Sequence, residues 1–237
     1  MSQHTNQYGQ PVGHPLPDWQ PRPFPQPQVF SGEVCRLEPF SVARHGEALF
    51  EAYAAADDGR DWTYMFVGPF DDRQAWQDHA AQLEASRDPL HFAVIDLATG
   101  QAAGSLALMR IQPEHGVIEV GHVAFSPQLK RTRMATEAHY LLMHYAFETL
   151  GYRRYEWKCD SCNAPSRRAA ERLGFRHEGV FRQAVVYKGR SRDTRWLSII
   201  DGEWPQVKKG LQRWLASDNF TAGGQQREKL ETLRERP

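Results

Sequence analysis

Cysteine is scarce. Three in 237 residues are too few for a disulfide framework, and Cys159 and Cys162, spaced C-x-x-C, lack the second ligand pair of a structural zinc site. Long apolar runs are missing as well. No stretch reaches the roughly 18 residues of a membrane-spanning helix, and the first thirty residues are polar and proline-rich, unlike a signal peptide. Charge of either sign is not in excess: Lys plus Arg and Asp plus Glu are 29 each, so no net field holds nucleic acid or an anionic membrane. No internal repeat is present. These absences lead us to expect a cytoplasmic protein with no metal, and neither nucleic acid nor membrane as partner.

What is there is the composition of a folded domain, 41% hydrophobic and 24% charged, in a chain long enough for one core with extensions. Residues 1–31 hold seven of the fifteen prolines, which favours an extended, solvated arm; Trp19 and Phe24 are candidates to anchor it. The folded domain is expected over residues 32–205, followed by a helix and polar tail over 206–237.

Within the domain, Val34–Glu38 alternates like a strand and Ser41 is placed to cap a helix running to Ala54. A polar and aromatic connection (Asp57, Asp58, Asp61, Trp62, Tyr64) precedes an amphipathic stretch from Asp72 to Ala85. His91–Asp96 and Ala103–Ile111 form a hairpin candidate, and Val117–Phe125 follows as a third strand. Ala138, Leu141, Leu142, Tyr145 and Ala146 mark one face of a helix closed near Gly151. Tyr155–Cys159 reads as a strand, Pro165–Leu173 as a helix stopped by Gly174, and Phe181–Tyr187 with Thr194–Ile200 as an antiparallel pair. Trp204–Leu215 predicts a last helix with Pro205 in its first turn, and Glu228–Arg234 a further helical patch. The fold class is a mixed α/β (α+β) domain.

The most informative stretch is Val123–Ala138, where a strand feeds through a basic turn into a helix. First-turn amides and the helix dipole suit an anion, and Lys130, Arg131 and Arg133 add positive donors. Together with Glu119-Val120-Gly121, Phe125-Ser126-Pro127, Ala135-Thr136-Glu137-Ala138, Asn163-Ala164-Pro165-Ser166 and Leu173-Gly174-Phe175, this stretch resembles the GCN5-related N-acetyltransferases, especially their RimJ/RimL-type branch, which acetylates ribosomal-protein N-termini and other amines. The likeness spans about Val34 to Trp204.

That resemblance implies a mostly antiparallel, twisted mixed sheet with helices on both faces and a V-shaped split between two parallel strands, those ending at Phe125 and Cys159. It also implies acetyl-CoA or another acyl-CoA as co-substrate. The pyrophosphate would rest on the turn Lys130, Arg131, Thr132, Arg133, Met134, Ala135 and Thr136. Arg133 stands where the family has a glycine, and its guanidinium is a candidate substitute donor. Main-chain groups at Val123 and Phe125 would hold the pantetheine arm and polarise the thioester carbonyl. Asn163 would bind pantetheine, Ser166 would protonate the leaving thiolate or simply cap its helix, and Arg167 with Arg168 would meet the 3′-phosphate.

The acceptor must be a neutral amine, and an α-amino group, with a pKa of about 7.7–8.0, meets that condition more readily than a lysine at about 10.4. Glu119 resembles the family's strand glutamate and is a candidate general base or a buried ion-pair partner. His122 is the rival, expected on the opposite face of the strand unless a bulge intervenes. Asp61, Trp62 and Tyr64 would form the acceptor wall, attracting an ammonium by charge and cation–π contact. Partners are then an amine-bearing small molecule, such as a polyamine or aminoglycoside, or a protein N-terminus, with a homodimer allowed. A non-catalytic CoA-binding or protein-interaction module is the alternative class, prompted by Arg133 and by the long polar extensions.

Overall fold

The computed structural model describes residues 4–236; the outermost ends of the arm and tail, residues 1–3 and 237, lie outside the described residues. After a small hairpin of β1 (His4–Thr5) and β2 (Pro11–Val12) come β3 (Phe30–Ser31), β4 (Cys35–Pro39), β5 (Leu90–Asp96), β6 (Ala102–Gln112), β7 (Val117–Phe125), β8 (Arg154–Asp160), β9 (Arg176–Tyr187) and β10 (Arg190–Ile200). The last eight form one sheet in the order β3-β4-β5-β6-β7-β8-β10-β9. Only β7 and β8 run parallel among its described pairs.

Helices α1 (Glu47–Ala54) and α2 (Arg73–Ala85) cover one face, where Leu49, Trp76 and Ala80 meet Ala93 and Ile95. On the other face lie α3 (Arg133–His144), α4 (Ala164–Leu173), α5 (Trp204–Leu215) and α6 (Leu230–Glu235), packed against Phe92, Val94, Leu106 and Ile118. Strand β5 is buried on both sides, which is why its residues form a nearly continuous apolar run.

The V-shaped split arises from register. The β7–β8 ladder ends at Val120↔Trp157, while β7 continues to Phe125 and β8 to Asp160. At the point of separation β7 carries a bulge: its pairing with β6 jumps from Ala107↔Gly121 to Ser105↔Ala124, and His122 takes a left-handed φ of 48°. An extra residue in one strand bends it and increases its local twist, which turns β7 away from its partner.

Three local expectations are corrected. Ser41 offers no side-chain cap; its amide donates to His45 Nδ1 at 3.1 Å instead, and a π-helical turn over Val42–Gly46 precedes α1. The helix on which Ala138 and Leu142 lie passes into a π-helical turn at Tyr145 before Gly151. Strand β9 starts at Arg176, five residues before the apolar stretch that suggests it.

The arm runs along the domain. Trp19 Nε1 donates to the Glu114 carbonyl at 2.8 Å, and the Gln26 amide to Tyr145 Oη at 2.9 Å; Phe24 stays exposed. At the other end Val207, Leu211, Trp214, Leu230 and Leu233 enter the main core, so apolar packing crosses the boundary expected at residue 205. Among the described residues no helix is long and apolar enough to cross a membrane.

Candidate active site

Beyond Val120, β7 has lost its neighbour on one side. The Ser126 amide donates to the Ala103 carbonyl on the β6 side at 3.1 Å, so by strand alternation the peptide groups of Val123 and Phe125 face the gap toward β8. An extended ligand inserted there gains strand-like hydrogen bonds. The far wall supports this edge: Tyr53 Oη donates to the Ala124 carbonyl at 3.1 Å and lies 2.9 Å from Ser105 Oγ.

The gap leads to the first turn of α3. The amides of Leu129 and Lys130 both donate to the Ser126 carbonyl, and Arg131 adopts a left-handed φ of 63°. Thr132 caps the helix, its hydroxyl donating to the Leu129 carbonyl at 2.7 Å and accepting the Ala135 amide at 3.1 Å. Arg133 and Met134, at the first two helical positions, have amides with no acceptor within the helix. With the helix dipole they suit an anion, so an extended chain ending in phosphates fits this groove.

Arg133 does not extend its side chain into that groove. Its guanidinium reaches the opposite way, to Glu33 and to the Leu215 carbonyl at the end of α5, with Nε at 2.9 Å, and stacks over Phe220. A cation is favoured there by the negative end of the α5 dipole. Thr136 is buried and its hydroxyl accepts from Arg172 at 3.0 Å, while Met134 and Ala135 pack against the core. From this turn the groove keeps Lys130, the exposed Arg131 and the two free amides.

On the α1/α2 face, Glu119 and His122 share one side of β7, because the bulge restores what alternation would separate. Glu119 is buried; its Oε2 accepts from Lys158 Nζ at 2.7 Å and lies 3.3 Å from Arg110 Nε. Lys158 also bonds Glu156 at 2.7 Å and sits 3.7 Å from the centre of the Trp196 ring. Burial raises the Glu119 carboxyl above its ordinary range, against the pull of Lys158. His122 sits just past the last β7–β8 pair, half-buried, its ring edge-on to His91 at 5.2 Å. Burial lowers its pKa, and that of His91 falls to about 3, so both rings are neutral near pH 7.

Beyond β8, Asn163 caps α4 by accepting the Ser166 amide at 3.1 Å, so the capping expected of Ser166 belongs to Asn163. Ser166 Oγ accepts from Trp157 Nε1 at 2.9 Å, and its hydroxyl also hydrogen-bonds the Cys159 thiol, opposing the rise that burial imposes on that thiol's pKa. Arg167 is half-buried in the first turn of α4, and Arg168 is exposed.

The α1–α2 connection spans the open end of the split. Asp61 pairs with Lys130, a few residues past β7, and Tyr64 Oη donates to the Cys162 carbonyl, just past β8, at 3.2 Å. Trp62 is a core residue: it is buried edge-on to Tyr53 and Phe70, beneath Gly68. Asp58 is taken up by Arg60.

Sequence reading missed Lys158 and Arg110, which surround Glu119, and the β9–β10 tip, which grips this connection. The signal for the tip was the pair Lys188-Gly189, both left-handed, between the paired Tyr187 and Arg190. A two-residue turn of this kind usually advertises itself as Asn-Gly or Asp-Gly, and lysine hides it.

Comparison with known proteins agrees with this geometry. Residues 35–176 match the family model of the acetyltransferase (GNAT) domain. The crystal structure of a GCN5-related N-acetyltransferase from Brucella melitensis is 48% identical and superposes with a TM-score of 0.92 over 93% of this chain and 100% of that one. A probable GNAT-family acetyltransferase from Chromobacterium violaceum is 44% identical, with a TM-score of 0.76 over 83% of this chain and 98% of its own. The uncharacterised N-acetyltransferase p20 of Bacillus licheniformis is 28% identical over 148 residues, 60% of this chain and 80% of that protein. With its split sheet, open strand edge and anion-ready helix start, this chain belongs to the GCN5-related N-acetyltransferases.

Proposed function

We propose that the enzyme transfers an acetyl group from acetyl-CoA directly to a protein or peptide N-terminal α-amine, with His122 taking up the amine's proton. Membership of the family supplies acyl-CoA as co-substrate and an amine as acceptor. The observation that carries the finer reading is the place of His122: a neutral imidazole at the apex of the split, beyond the last β7–β8 pair. Glu119 lies one pair inside the ladder, with one oxygen committed to Lys158 and Arg110.

A base held below the usual histidine value matches an α-amine, of which a fair fraction is neutral near pH 7.5, far better than a lysine ammonium. The residues divide the work as follows. Phosphates bind at Lys130, Arg131 and the amides of Arg133 and Met134. The backbone of Val123 and Phe125 aligns the pantetheine arm and donates to the thioester oxygen as negative charge builds on it. Ser166 offers its hydroxyl, otherwise bonded to the Cys159 thiol, as a hydrogen-bond donor to the departing thiolate, which takes up a proton from solvent. The acyl-CoA contributes the activated acyl carbon.

Incubation with acetyl-CoA and, in parallel, short peptides with free N-termini, acetyl-capped lysine peptides and spermidine tests this. Mass of the product identifies the class, and modification confined to free N-termini is expected. Acetylation of spermidine or lysine alone would reject the α-amine. His122→Gln is expected to lower kcat/KM about a hundredfold while acetyl-CoA still raises Tm; an unimpaired variant would remove His122 as the base.

A further inference from the structure

The tip of the β9–β10 hairpin holds the connection across the split by an unusual contact. Lys188 Nζ donates to three main-chain carbonyls of one bend: Trp62 at 2.9 Å, Val67 at 3.1 Å and Gly68 at 2.7 Å. An ammonium has three protons, and here each has its own acceptor. Lys188 therefore has no proton-accepting work to do and serves as a tether. Arg190 adds a bond to the Thr63 carbonyl at 2.8 Å, and the exposed Phe66 rests against Tyr187 at 5.4 Å between ring centres.

The hairpin is in turn fixed to the catalytic frame. Tyr187 Oη donates to Asp160 Oδ2 at 2.8 Å, and Asp160 is the last residue of β8, one arm of the split. A chain of contacts thus runs from β8 through Tyr187 and Lys188 to the bend. Without the three-carbonyl cage, the buried Trp62 still anchors one end of the bend, and the segment from Thr63 to Phe66 is held at the mouth by the Arg190 bond, the Tyr64 bond and the contacts of Phe66 with Tyr187 and Arg192.

We infer that Lys188 is a positioning residue for the acceptor: by gathering the carbonyls of Trp62, Val67 and Gly68 it fixes the Thr63–Phe66 bend as the wall against which the amine-bearing substrate docks. This rests on the reading of the split as the site of transfer. It gives Lys188 no contact with the phosphate turn, so its loss changes acceptor binding and leaves coenzyme binding alone. Arginine is no replacement, because a planar fork does not send three protons to three converging oxygens.

The test uses the full-length enzyme with Lys188→Met and Lys188→Arg. Amide hydrogen exchange without ligand is expected to quicken over residues 63–68 in both variants, with Tm raised by acetyl-CoA as in the wild type. With an N-terminal peptide as acceptor, KM is expected to rise about tenfold or more and kcat to fall less than threefold, the pattern of lost positioning on binding. Unchanged exchange and KM in Lys188→Met, or a Lys188→Arg enzyme indistinguishable from wild type, would overturn the cage. Loss of the acetyl-CoA shift would overturn its confinement to the acceptor side. If the wild type acetylates no amine, the proposed function falls, and the exchange comparison still decides whether Lys188 holds the bend.

Discussion

His122 and Glu119 differ less in chemistry than in what surrounds them. Burial lowers the histidine pKa and raises that of the glutamate, since water stabilises the charged form of each and both have lost it. A neutral amine and a neutral base are both required for transfer, so kcat/KM is expected to fall first as the α-amine protonates below about 8 and to steepen below 6.5 as pH drops through the lowered His122 value. A pH–rate profile checks this, and in His122→Gln the steeper part should vanish while the amine's own ionisation remains. Glu119→Gln should act mainly on stability. It removes one of the two carboxylates that hold the Lys158 ammonium, costing about 2 kcal/mol in denaturant unfolding, with kcat/KM reduced less than tenfold. A larger loss of kcat/KM at preserved stability would return the base to Glu119.

Elements are placed by polar contacts as much as by apolar ones. Glu137, buried on α3, accepts the amides of Glu33, Val34 and Cys35 at 2.8, 2.9 and 2.8 Å, gathering the β3–β4 turn onto the helix. A Cβ on Gly32 would collide with that carboxylate. Glu137→Ala strands three donors and is expected to cost about 3 kcal/mol, read as a lower Tm with the acetyl-CoA affinity of the remaining folded protein retained. At the mouth of the split, Asp61 holds Lys130 in the turn before α3, where, on the proposed function, a coenzyme phosphate would compete for the same ammonium. Asp61→Asn is expected to tighten coenzyme A binding a few-fold and to steepen its salt dependence, measured by calorimetry at two ionic strengths.

At the scale of the whole molecule, the C-terminal segment is part of the core. Ending the chain at Gly202 would strip away Trp204, Val207, Leu211, Trp214, Leu230 and Leu233, of which each leucine and tryptophan is large enough that truncation alone costs about 2–5 kcal/mol. Such a chain is expected to show no cooperative thermal transition. The far edge of the sheet also sets acid stability. Glu178 is held to about 2 by hydrogen bonds from Arg154, so its contribution is complete above its unfolded value of 4.5 and is lost as pH falls toward 2. Glu178→Gln should flatten the acid limb of a Tm-versus-pH curve over that window.

Patterns of local origin were determined by the sequence alone. Strand alternation, the Gly174 stop with Phe175 entering the core, the basic turn before α3 and the family motifs lie within a few neighbouring residues, and local sterics and burial are enough to read them. Direction of side chains across long separations was decided only by the tertiary structure. Arg133 stands in the phosphate motif yet turns to the end of α5, eighty-two residues away. His122 joins the Glu119 side because one extra residue in β7 inverts the alternation. Trp62 looks like a ligand platform in sequence and is a core residue in the fold, while Lys188, with no motif to mark it, closes a cage of carbonyls more than a hundred residues distant. A periodic pattern reports which residues are buried; it does not report which distant partner each polar group will find, because that choice is made only when the sheet and its loops are packed together.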